Sequence, residues 1–424
     1  MDSHSSPHLF KLLYVIQNLS KNLTFMQDLY LFNPDNEISI ANGTNGYTPK
    51  TNISVMAGDL AFLSAYLAGK GDYVLVTKMP DFDFMKSREE VFGLDCKPVT
   101  WEKAQLLSFS ELKPWGWSPR VHNLLKDLKS RCNEQFKESV MSTWSDERRD
   151  LYSRRMAATC LTGMVQAIPC LGKDIIPSEC NTLAEIRLLS EKENIVVKAP
   201  WSSSGKGVLF IPKGEITCKE EEVLSGILRK QGYVMVEKRL NRVLDFAMEF
   251  EMDRLFHLNF LGYSVFQTSR RGEYEGNTVA SNSSLEGIIA KYTGTGFLRE
   301  IREQLEKVVT TVFHGKYVGY MGVDMMIYED ESGEFGIQPC VEINLRYNMG
   351  IVSIALQRYL QESVEGVFNI RFSPKAGEIM QSVEKNRDVH PLLIEAGRIV
   401  SGYINLTPVS HESRFVAELY IGNE

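Results

Sequence analysis

The stretch MGVDMMIYEDESGEFGIQPCVEINLR (321–346) consists of two apolar segments joined by the polar turn DESGE. This pattern predicts a β-hairpin. A turn centred on Gly333 places Asp324 directly opposite Glu342, because the two positions are equally far from it. The Cβ atoms of such a cross-strand pair lie about 4.5–5.5 Å apart. The hairpin is therefore predicted to bring two carboxylates together.

Side-chain alternation adds two polar groups to this pair. Successive side chains of a strand point to opposite faces, so Glu342, Asn344 and Arg346 are predicted to share one face. Two close carboxylates repel each other unless one is protonated or a cation lies between them. Together with the amide they form an all-oxygen set suited to Mg²⁺, and the guanidinium could reach a phosphoryl group. A solvated hairpin face with unrelated charges is the alternative interpretation.

Length and composition describe an ordinary globular chain. Its 424 residues predict two to four domains, at about 100–200 residues each. Hydrophobic residues make up 43% and charged residues 24%, which excludes global disorder. The net charge of −7 gives no reason to expect a nucleic acid partner. No stretch reaches the roughly 18 uncharged apolar residues of a membrane span, so no membrane partner is expected.

Cysteine usage and the beginning of the sequence predict the compartment. The seven cysteines include no C-x-x-C pair, and the first residues do not resemble a signal peptide. Reduced thiols and a cytoplasmic location are expected. The seven histidines form no H-E-x-x-H motif, so a zinc site is not expected.

The pattern of elements changes near residue 145. Before it, short apolar runs such as LYLF (29–32) and YVLVT (73–77) alternate with helical stretches, one of them predicted over 58–67. Strands that alternate with helices indicate a parallel α/β sheet. Beyond residue 145, the apolar runs and polar turns predict an α+β arrangement with hairpins.

A second candidate site lies in NIVVKAPWSSSGKGVLFI (194–211), which is predicted as strand, loop and strand. Lys198 ends the first strand, and a buried ammonium needs a counter-charge such as phosphate. The loop from Ser202 to Gly207 can bring backbone N–H groups close to an anion. It does not match the Walker A pattern. An ordinary hairpin turn is an equally weighted alternative.

Two further segments carry weaker signals. The strand YVMVEKRL (233–240) could offer backbone groups to a base edge, with Asp245 for a ribose. Taken alone, an edge strand with a charged end is the preferred interpretation. Arg270 and Arg271 are predicted in a loop between strands and could hold a γ-phosphate or a substrate carboxylate. A solvated loop is at least as good an interpretation of these two arginines.

A lysine-bearing strand, a Gly/Ser loop, a strand ending in Glu and then G-V-D and E-I-N-x-R occur here in the order typical of the ATP-grasp superfamily. The chain resembles that family over about residues 146–424. The resemblance implies a mixed α/β and α+β protein, in which a Rossmann-like α/β pre-ATP-grasp domain (1–145) precedes the ATP-grasp domain. Within the latter it implies a lid subdomain (about 180–240) and a metal-site subdomain (about 241–424).

The same resemblance implies roles for individual residues. The ATP phosphates are expected to contact Lys198, with a lid loop of Ser202, Ser203, Ser204, Gly205, Lys206 and Gly207; the adenine hinge is expected at Glu237 and Leu240, and the ribose at Asp245. The implied metal ligands are Asp324, Glu342 and Asn344, and Arg346 would steady the transferred phosphoryl group. Lys198 and Arg346 are thus the catalytic candidates.

Two positions depart from the family pattern. The earlier phosphate-binding lysine of the family falls near Arg154 and Arg155, for which helix-surface charge is the alternative. Leu345 stands where the family often has proline after the metal-binding asparagine, which alters local stiffness.

The activity implied is that of a ligase with ATP and Mg²⁺ as cofactors, and Mn²⁺ suits the same ligands. It would activate a small-molecule carboxylate as an acyl phosphate for attack by an amine or a thiol. An ATP-grasp kinase, a catalytically inactive nucleotide-binding regulatory protein and a plain α/β metabolite-binding protein are the alternatives. Homo-oligomerisation is compatible with the sequence, which identifies neither substrate.

Overall fold

A parallel sheet comes first along the chain in this computed structural model, which describes residues 26–202, 207–269 and 274–422. The strands of this sheet are β1 (Leu29–Leu31), β2 (Tyr73–Leu75), β3 (Lys97–Val99) and β4 (Leu112–Pro114). They are ordered β3-β2-β1-β4, and every pair is parallel. The helical segments of this part are Asn36–Asn42, Thr51–Asp59, Ala61–Tyr66, Phe82–Phe92, Trp101–Ala104, Pro119–Leu124, Lys126–Lys129, Glu134–Lys137, Asp146–Arg149 and Asp150–Tyr152. The predicted parallel α/β sheet is confirmed.

A small antiparallel sheet follows. Its strands are β5 (Ser178–Cys180), β6 (Ile195–Lys198), β7 (Val208–Ile211) and β8 (Val234–Lys238). Their order is β5-β8-β6-β7. The helical segments before and within this part are Arg154–Ala167, Pro169–Leu171, Leu183–Ser190 and Cys218–Gln231.

A large sheet completes the chain. Its strands are β9 (Asn241–Met252), β10 (Leu258–Thr268), β11 (Tyr274–Val279), β12 (Gly319–Glu329), β13 (Phe335–Asn344), β14 (Gly366–Phe372), β15 (Leu393–Glu395), β16 (Arg398–Asn405) and β17 (Phe415–Ile421). They are ordered β13-β12-β9-β10-β11-β14-β17-β16-β15. The helices of this part are Asn282–Thr293, Thr295–Phe313, Met349–Gln357 and Glu378–Val389. A mixed α/β architecture with one parallel sheet and a large antiparallel sheet is thus confirmed.

The helical stretch predicted over 58–67 consists of parts of two helical segments, the first of which begins earlier than predicted. An α-helix covers Thr51–Asp59, and a separate 3₁₀ helix covers Ala61–Tyr66. Every residue of the 3₁₀ segment is buried, so it has no polar face whose spacing would reveal its type from sequence.

The register of the β12–β13 hairpin differs from the predicted one at the turn. Asp324 does pair with Glu342, as predicted, but the turn is not centred on Gly333. Near the turn Glu329 pairs with Phe335, so the turn is centred one residue earlier, on Ser332. An irregularity between Asp324 and Met326 then shifts the pairing of the two strands by two residues. A shift of two residues leaves every side chain on its own face, whereas a shift of one would have exchanged the faces.

One face of the large sheet is apolar and packs on helices. The helix Thr295–Phe313 buries a stripe at three- and four-residue spacing: Leu298, Ile301, Leu305, Val309 and Phe313. These side chains join one core with the apolar residues of the central strands, among them Phe246, Met248, Phe250, Met321, Val323 and Met325. The alternate residues of the same strands therefore lie on the opposite face, where the candidate site is found.

Two simple features of the chain complete the description. Among the residues that the structure describes, no helix combines the length and apolarity needed to cross a membrane. All seven cysteines are free thiols, and five of them are buried.

Truncation of the helix stripe should destabilise the fold. Leu305 is fully buried, so Leu305→Ala leaves a cavity and is expected to lower the free energy of unfolding by about 2–5 kcal/mol. Lys307→Ala changes an exposed residue of the same helix and is expected to stay within about 0.5 kcal/mol of wild type. Urea unfolding of both variants measures the difference, and equal midpoints would contradict this packing.

Candidate active site

The candidate site lies on the polar face of β9, β12 and β13. Asp324 pairs with Glu342 on one side and with Ala247 on the other. By the same register, Gly322 lies opposite Glu249. Side chains that are paired, or that stand two residues apart, share a face. The acidic and amide residues on this face are Asp245, Glu249, Glu251, Asp324, Glu342 and Asn344.

Asp324 belongs to a short hydrogen-bonded chain. The Asn344 side chain donates from Nδ2 to Asp324 Oδ2 at 3.0 Å. Its Oδ1 accepts from Arg346 Nη2, also at 3.0 Å. The guanidinium of Arg346 is in turn ion-paired with Glu37, which lies in the first helix of the parallel-sheet part. The three residues Asp324, Asn344 and Arg346 predicted to share one face are thus in contact.

Burial makes the charge on Asp324 costly. Burial and then the charge of the facing Glu342 raise the pKa of its carboxyl, whereas Arg346 and the Asn344 hydrogen bond lower it, and the resulting pKa is about 7. The carboxylate pair anticipated from the hairpin therefore repels within a confined site. A cation between the two side chains would relieve this repulsion.

Arg154 connects this pair to the lid strands. Its Nη1 lies 2.8 Å from Glu342 Oε2. Its Nε donates to the Ala199 carbonyl at 3.1 Å, and its Nη2 donates to Ser202 Oγ at 3.1 Å. The side chain is nearly buried, so a single guanidinium joins a candidate metal ligand to the start of the candidate phosphate loop.

Lys198 lies at the end of β6 and is only 8% exposed. Its ammonium forms an ion pair with Glu237 of the neighbouring strand β8. The two residues predicted to face the nucleotide therefore contact each other. Gly207, which closes the loop, has φ of +80° and accepts the backbone N–H of Ala199 at 2.8 Å. Six predicted residues, Ser203, Ser204, Gly205, Lys206, Arg270 and Arg271, lie outside the described residues.

Two other predicted residues have partners outside the carboxylate pair, although Asp245 lies on the same sheet face as Asp324. Arg155 makes a two-point ion pair with Glu179 at 2.8 and 2.9 Å, and is about 40% exposed. Asp245 accepts hydrogen bonds from Thr268 at 2.6 Å and from Arg242 at 2.9 Å.

The hinge candidate Leu240 lies next to the large core. It is half-buried and packs against that core.

A cavity lies where three parts of the chain meet. The parallel-sheet part contributes Asn36 and Glu37, and the lid strands contribute the segment 200–202. The hairpin contributes the segment 342–346. The cavity therefore borders both the start of the candidate phosphate loop, at Ser202, and the candidate metal ligand Glu342, which are 140 residues apart in the sequence.

Two site residues were missed in the sequence. Glu37 pairs with Arg346 across 309 positions, and nothing local marks it. Glu249 had a visible signal, because DFAMEFEM (245–252) alternates acidic or small with apolar residues, as a strand with one polar face does. Its Oε2 accepts from Asn348 Nδ2 at 2.7 Å.

The Glu249 carboxyl packs closely against two glycines, Gly322 and Gly350. A Cβ at Gly350 would lie 2.1 Å from Glu249 Oε1, and a Cβ at Gly322 would lie 2.6 Å from Oε2. Burial and, less strongly, the charge of Asp324 raise the pKa of the Glu249 carboxyl, whereas the Asn348 hydrogen bond and Arg346 lower it, and the resulting pKa is about 8. This carboxyl is therefore kept largely neutral at pH 7.

The donor set suits a magnesium nucleotide. Among residues 26–202, 207–269 and 274–422, no group of three or more His, Cys, Asp or Glu side chains is arranged to hold a metal. The candidate ligands are instead two carboxylates and one amide. Mg²⁺ is usually held by one or two carboxylates, with substrate phosphates and water completing its octahedron. Asp324, Glu342 and Asn344 meet that requirement.

Solved structures resemble this chain along nearly its whole length. N5-carboxyaminoimidazole synthetase from Staphylococcus aureus has a TM-score of 0.50 and 12% identity, over 95% of each chain. A biotin carboxylase complex with β,γ-ATP from Campylobacter jejuni has a TM-score of 0.50 and 11% identity, over 94% of this chain and 87% of that one. No family model and no curated protein matches the sequence.

At such identities the likeness concerns the fold. The chain has the ATP-grasp fold, preceded by a parallel α/β domain, as the order of its motifs predicted.

Neutralising Glu249 should change the pH dependence of stability. Its carboxyl has a pKa of about 8 in the fold against 4.5 when unfolded, so the folded state binds a proton that the unfolded state lacks between these values. The contribution of Glu249 to the free energy of unfolding is fully present below about pH 4.5 and is lost as the pH rises through about 8. Glu249→Gln removes this loss and can still accept from Asn348. We expect its melting temperature to exceed that of wild type by a few degrees at pH 9, with a smaller difference at pH 5.

Glu303→Gln, at an exposed helix position, is the matched control and should follow wild type at both pH values. If Glu249→Gln shows the same difference at pH 5 and pH 9, Glu249 does not titrate as described.

Proposed function

We propose that the protein is an ADP-forming ligase that activates a small-molecule carboxylate as an acyl phosphate and joins it to an amine or a thiol. The observation that carries the proposal is the facing of Asp324 and Glu342 on one sheet face, with Asn344 and Arg346 in contact beside them. The fold supports it, because the similar synthetase and the carboxylase named above share this architecture.

The proposed cofactors are ATP and Mg²⁺, and Mn²⁺ suits the same ligands. When bound, they would supply the phosphoryl group and offset the negative charge around it. Asp324, Glu342 and Asn344 would hold the metal. Of the two structures compared, the biotin carboxylase is described as a complex with β,γ-ATP. The proposal includes a cytoplasmic location and is compatible with a homo-oligomer.

Lys198 and Arg346 are proposed to bind phosphate oxygens. Both cations are already oriented, by Glu237 and by Glu37 respectively, so little side-chain freedom would be lost on binding. Arg346 presents a planar fork of donors that matches the oxygens of a phosphoryl group. Fixed donors of this kind lower the barrier most where negative charge develops during the transfer.

The proposed reaction has two balanced steps. A substrate carboxylate oxygen bonds to the γ-phosphorus while the β–γ bridging bond breaks, and ADP leaves with the electron pair. The amine nitrogen then bonds to the acyl carbon, the carbon–oxygen bond to phosphate breaks, and the nitrogen's proton passes to the departing phosphate. A bare carboxylate resists this attack because its negative charge repels the nucleophile.

Removal of the metal and phosphate candidates should abolish ATP turnover. Glu342→Gln and Lys198→Ala are each expected to lower ADP release at least about 100-fold. ADP release is measured with Mg²⁺ATP and pooled amino acids, peptides and amino sugars, with hydroxylamine as an acyl trap. Hydroxamate supports the ligase, whereas ADP release without hydroxamate indicates the kinase alternative. Glu303→Gln is the control and should turn over as wild type does.

Retained turnover in Glu342→Gln and Lys198→Ala would overturn the assignment of these residues. ATP binding by calorimetry, without hydrolysis in any substrate pool, would instead indicate the inactive regulatory alternative.

Two neighbouring arginines provide a matched pair for the lid. Arg154 contacts Glu342 and Ser202. The ion pair of Arg155 in the described chain is with Glu179. Arg154→Ala is expected to weaken ATP binding by about tenfold or more, because it frees both the carboxylate and the loop. Arg155→Ala removes a surface ion pair worth about 0–1 kcal/mol and should bind ATP within about twofold of wild type. Calorimetric titration with MgATP measures both, and equal losses would contradict the role of Arg154.

A further inference from the structure

A second cavity, of about 180 Å³, lies on the other side of Arg346 from the cavity described above. It is bordered by the edge strand β4 of the parallel sheet and by the ends of β9 and β12 in the large sheet. Leu345 and Arg346 line both cavities. Of the predicted catalytic, nucleotide-binding and metal-binding residues, Arg346 alone lines this second cavity.

The cations of this cavity already have carboxylate partners. Lys113 Nζ lies 2.7 Å from Asp28, and Arg254 Nη2 lies 2.8 Å from Glu111. Arg346 is paired with Glu37. Lys113 and Arg254 are therefore balanced within the chain, and an anionic ligand in this cavity would have to compete with Asp28 or Glu111 for them.

Glu251 also lines this cavity, and it differs from the other carboxylates in having no ion-pair partner among the described residues. It is half-buried and lies directly opposite Tyr320, with which it shares a hydrogen bond. Among the described residues it takes part in none of the ion pairs, and the nearby Lys113 is committed to Asp28. Burial raises the pKa of the Glu251 carboxyl, and the charges of Asp253 and Glu111 add to the increase, while Lys113 opposes it. A partly desolvated carboxylate without a cation favours a ligand that brings one.

Three aromatic residues line the same cavity as this carboxylate. Tyr320 and Tyr347 are stacked, with ring centroids 4.6 Å apart, and Trp115 lies 6.1 Å from Tyr347. All three rings line the cavity. The faces of aromatic rings attract cations, and a carboxylate beside them supplies the opposite charge. The same cavity thus offers both elements of a site for an ammonium group.

We propose that this cavity binds the amine substrate of the ligase as its cation, with Glu251 contacting the ammonium group and the tyrosine pair packing against the adjoining carbon chain. The volume is below that of a pocket for a drug-sized ligand, roughly 300 Å³ or more, and so suits a short amine. Arg346 lines both this cavity and the one on the phosphate side. The bound ammonium would give one proton to the Glu251 carboxylate before its nitrogen attacks the acyl carbon. The assignment as substrate rests on the proposed function, whereas the ammonium site itself does not.

The test is calorimetric titration of the full chain with n-butylamine and 1,4-diaminobutane, and with n-butanol as the neutral match. Wild type is expected to bind at least one amine saturably and not the alcohol. Glu251→Gln is expected to weaken amine binding about tenfold or more, Glu251→Asp less, and the exposed control Glu303→Gln not at all. Melting curves establish that each variant is folded.

Two results would overturn the site. One is the lack of saturable binding by both amines in wild type, and the other is equal amine affinity in wild type and a folded Glu251→Gln. Its failure is distinct from that of the ligase assignment, which is decided by ADP release and hydroxamate formation in wild type. Amine binding that depends on Glu251 without any ADP release would retain the site and remove its role as a substrate pocket.

Discussion

The repulsion between Asp324 and Glu342 across the β12–β13 hairpin is the constraint on which the rest of the site depends. Antiparallel pairing places the two carboxylates side by side, and burial disfavours the charged form of Asp324. The surrounding groups are those that such a pair requires. Asn344 donates to one carboxylate, and Arg154 pairs with the other. An apolar sheet face, packed on helices, holds the backbone in place beneath them.

Ion pairs between distant segments join the three sheets around this hairpin. Arg346 reaches Glu37 in the parallel-sheet part, and Arg154 reaches both the hairpin and the loop after β6. Each guanidinium makes several directional bonds, so each contact restricts orientation as well as distance. The cavity between these segments is therefore lined by Ser202 of the candidate phosphate loop, by Glu342 and Asn344 of the candidate metal site, and by Glu37 of the parallel-sheet part.

Much of the architecture was predictable, because its signals are local. The apolar runs and the polar turn predicted the hairpin, and the pairing of Asp324 with Glu342 was correct although the assumed turn centre was not. The two-residue register shift inside the hairpin has no signature in the sequence. The 3₁₀ segment Ala61–Tyr66 lies within the predicted helical stretch, but its helix type was not predictable, because a fully buried stretch carries no amphipathic period.

The sequence by itself determined the elements, their order and the face on which the hairpin's polar residues lie, since these follow from alternation and from turn chemistry. Only the tertiary structure decided which charges become partners. Glu37 and Arg346 are 309 residues apart, and Lys113 forms its ion pair with Asp28 and not with Glu251. Such pairings depend on where separate sheets come to rest against each other, and no local pattern encodes that distance.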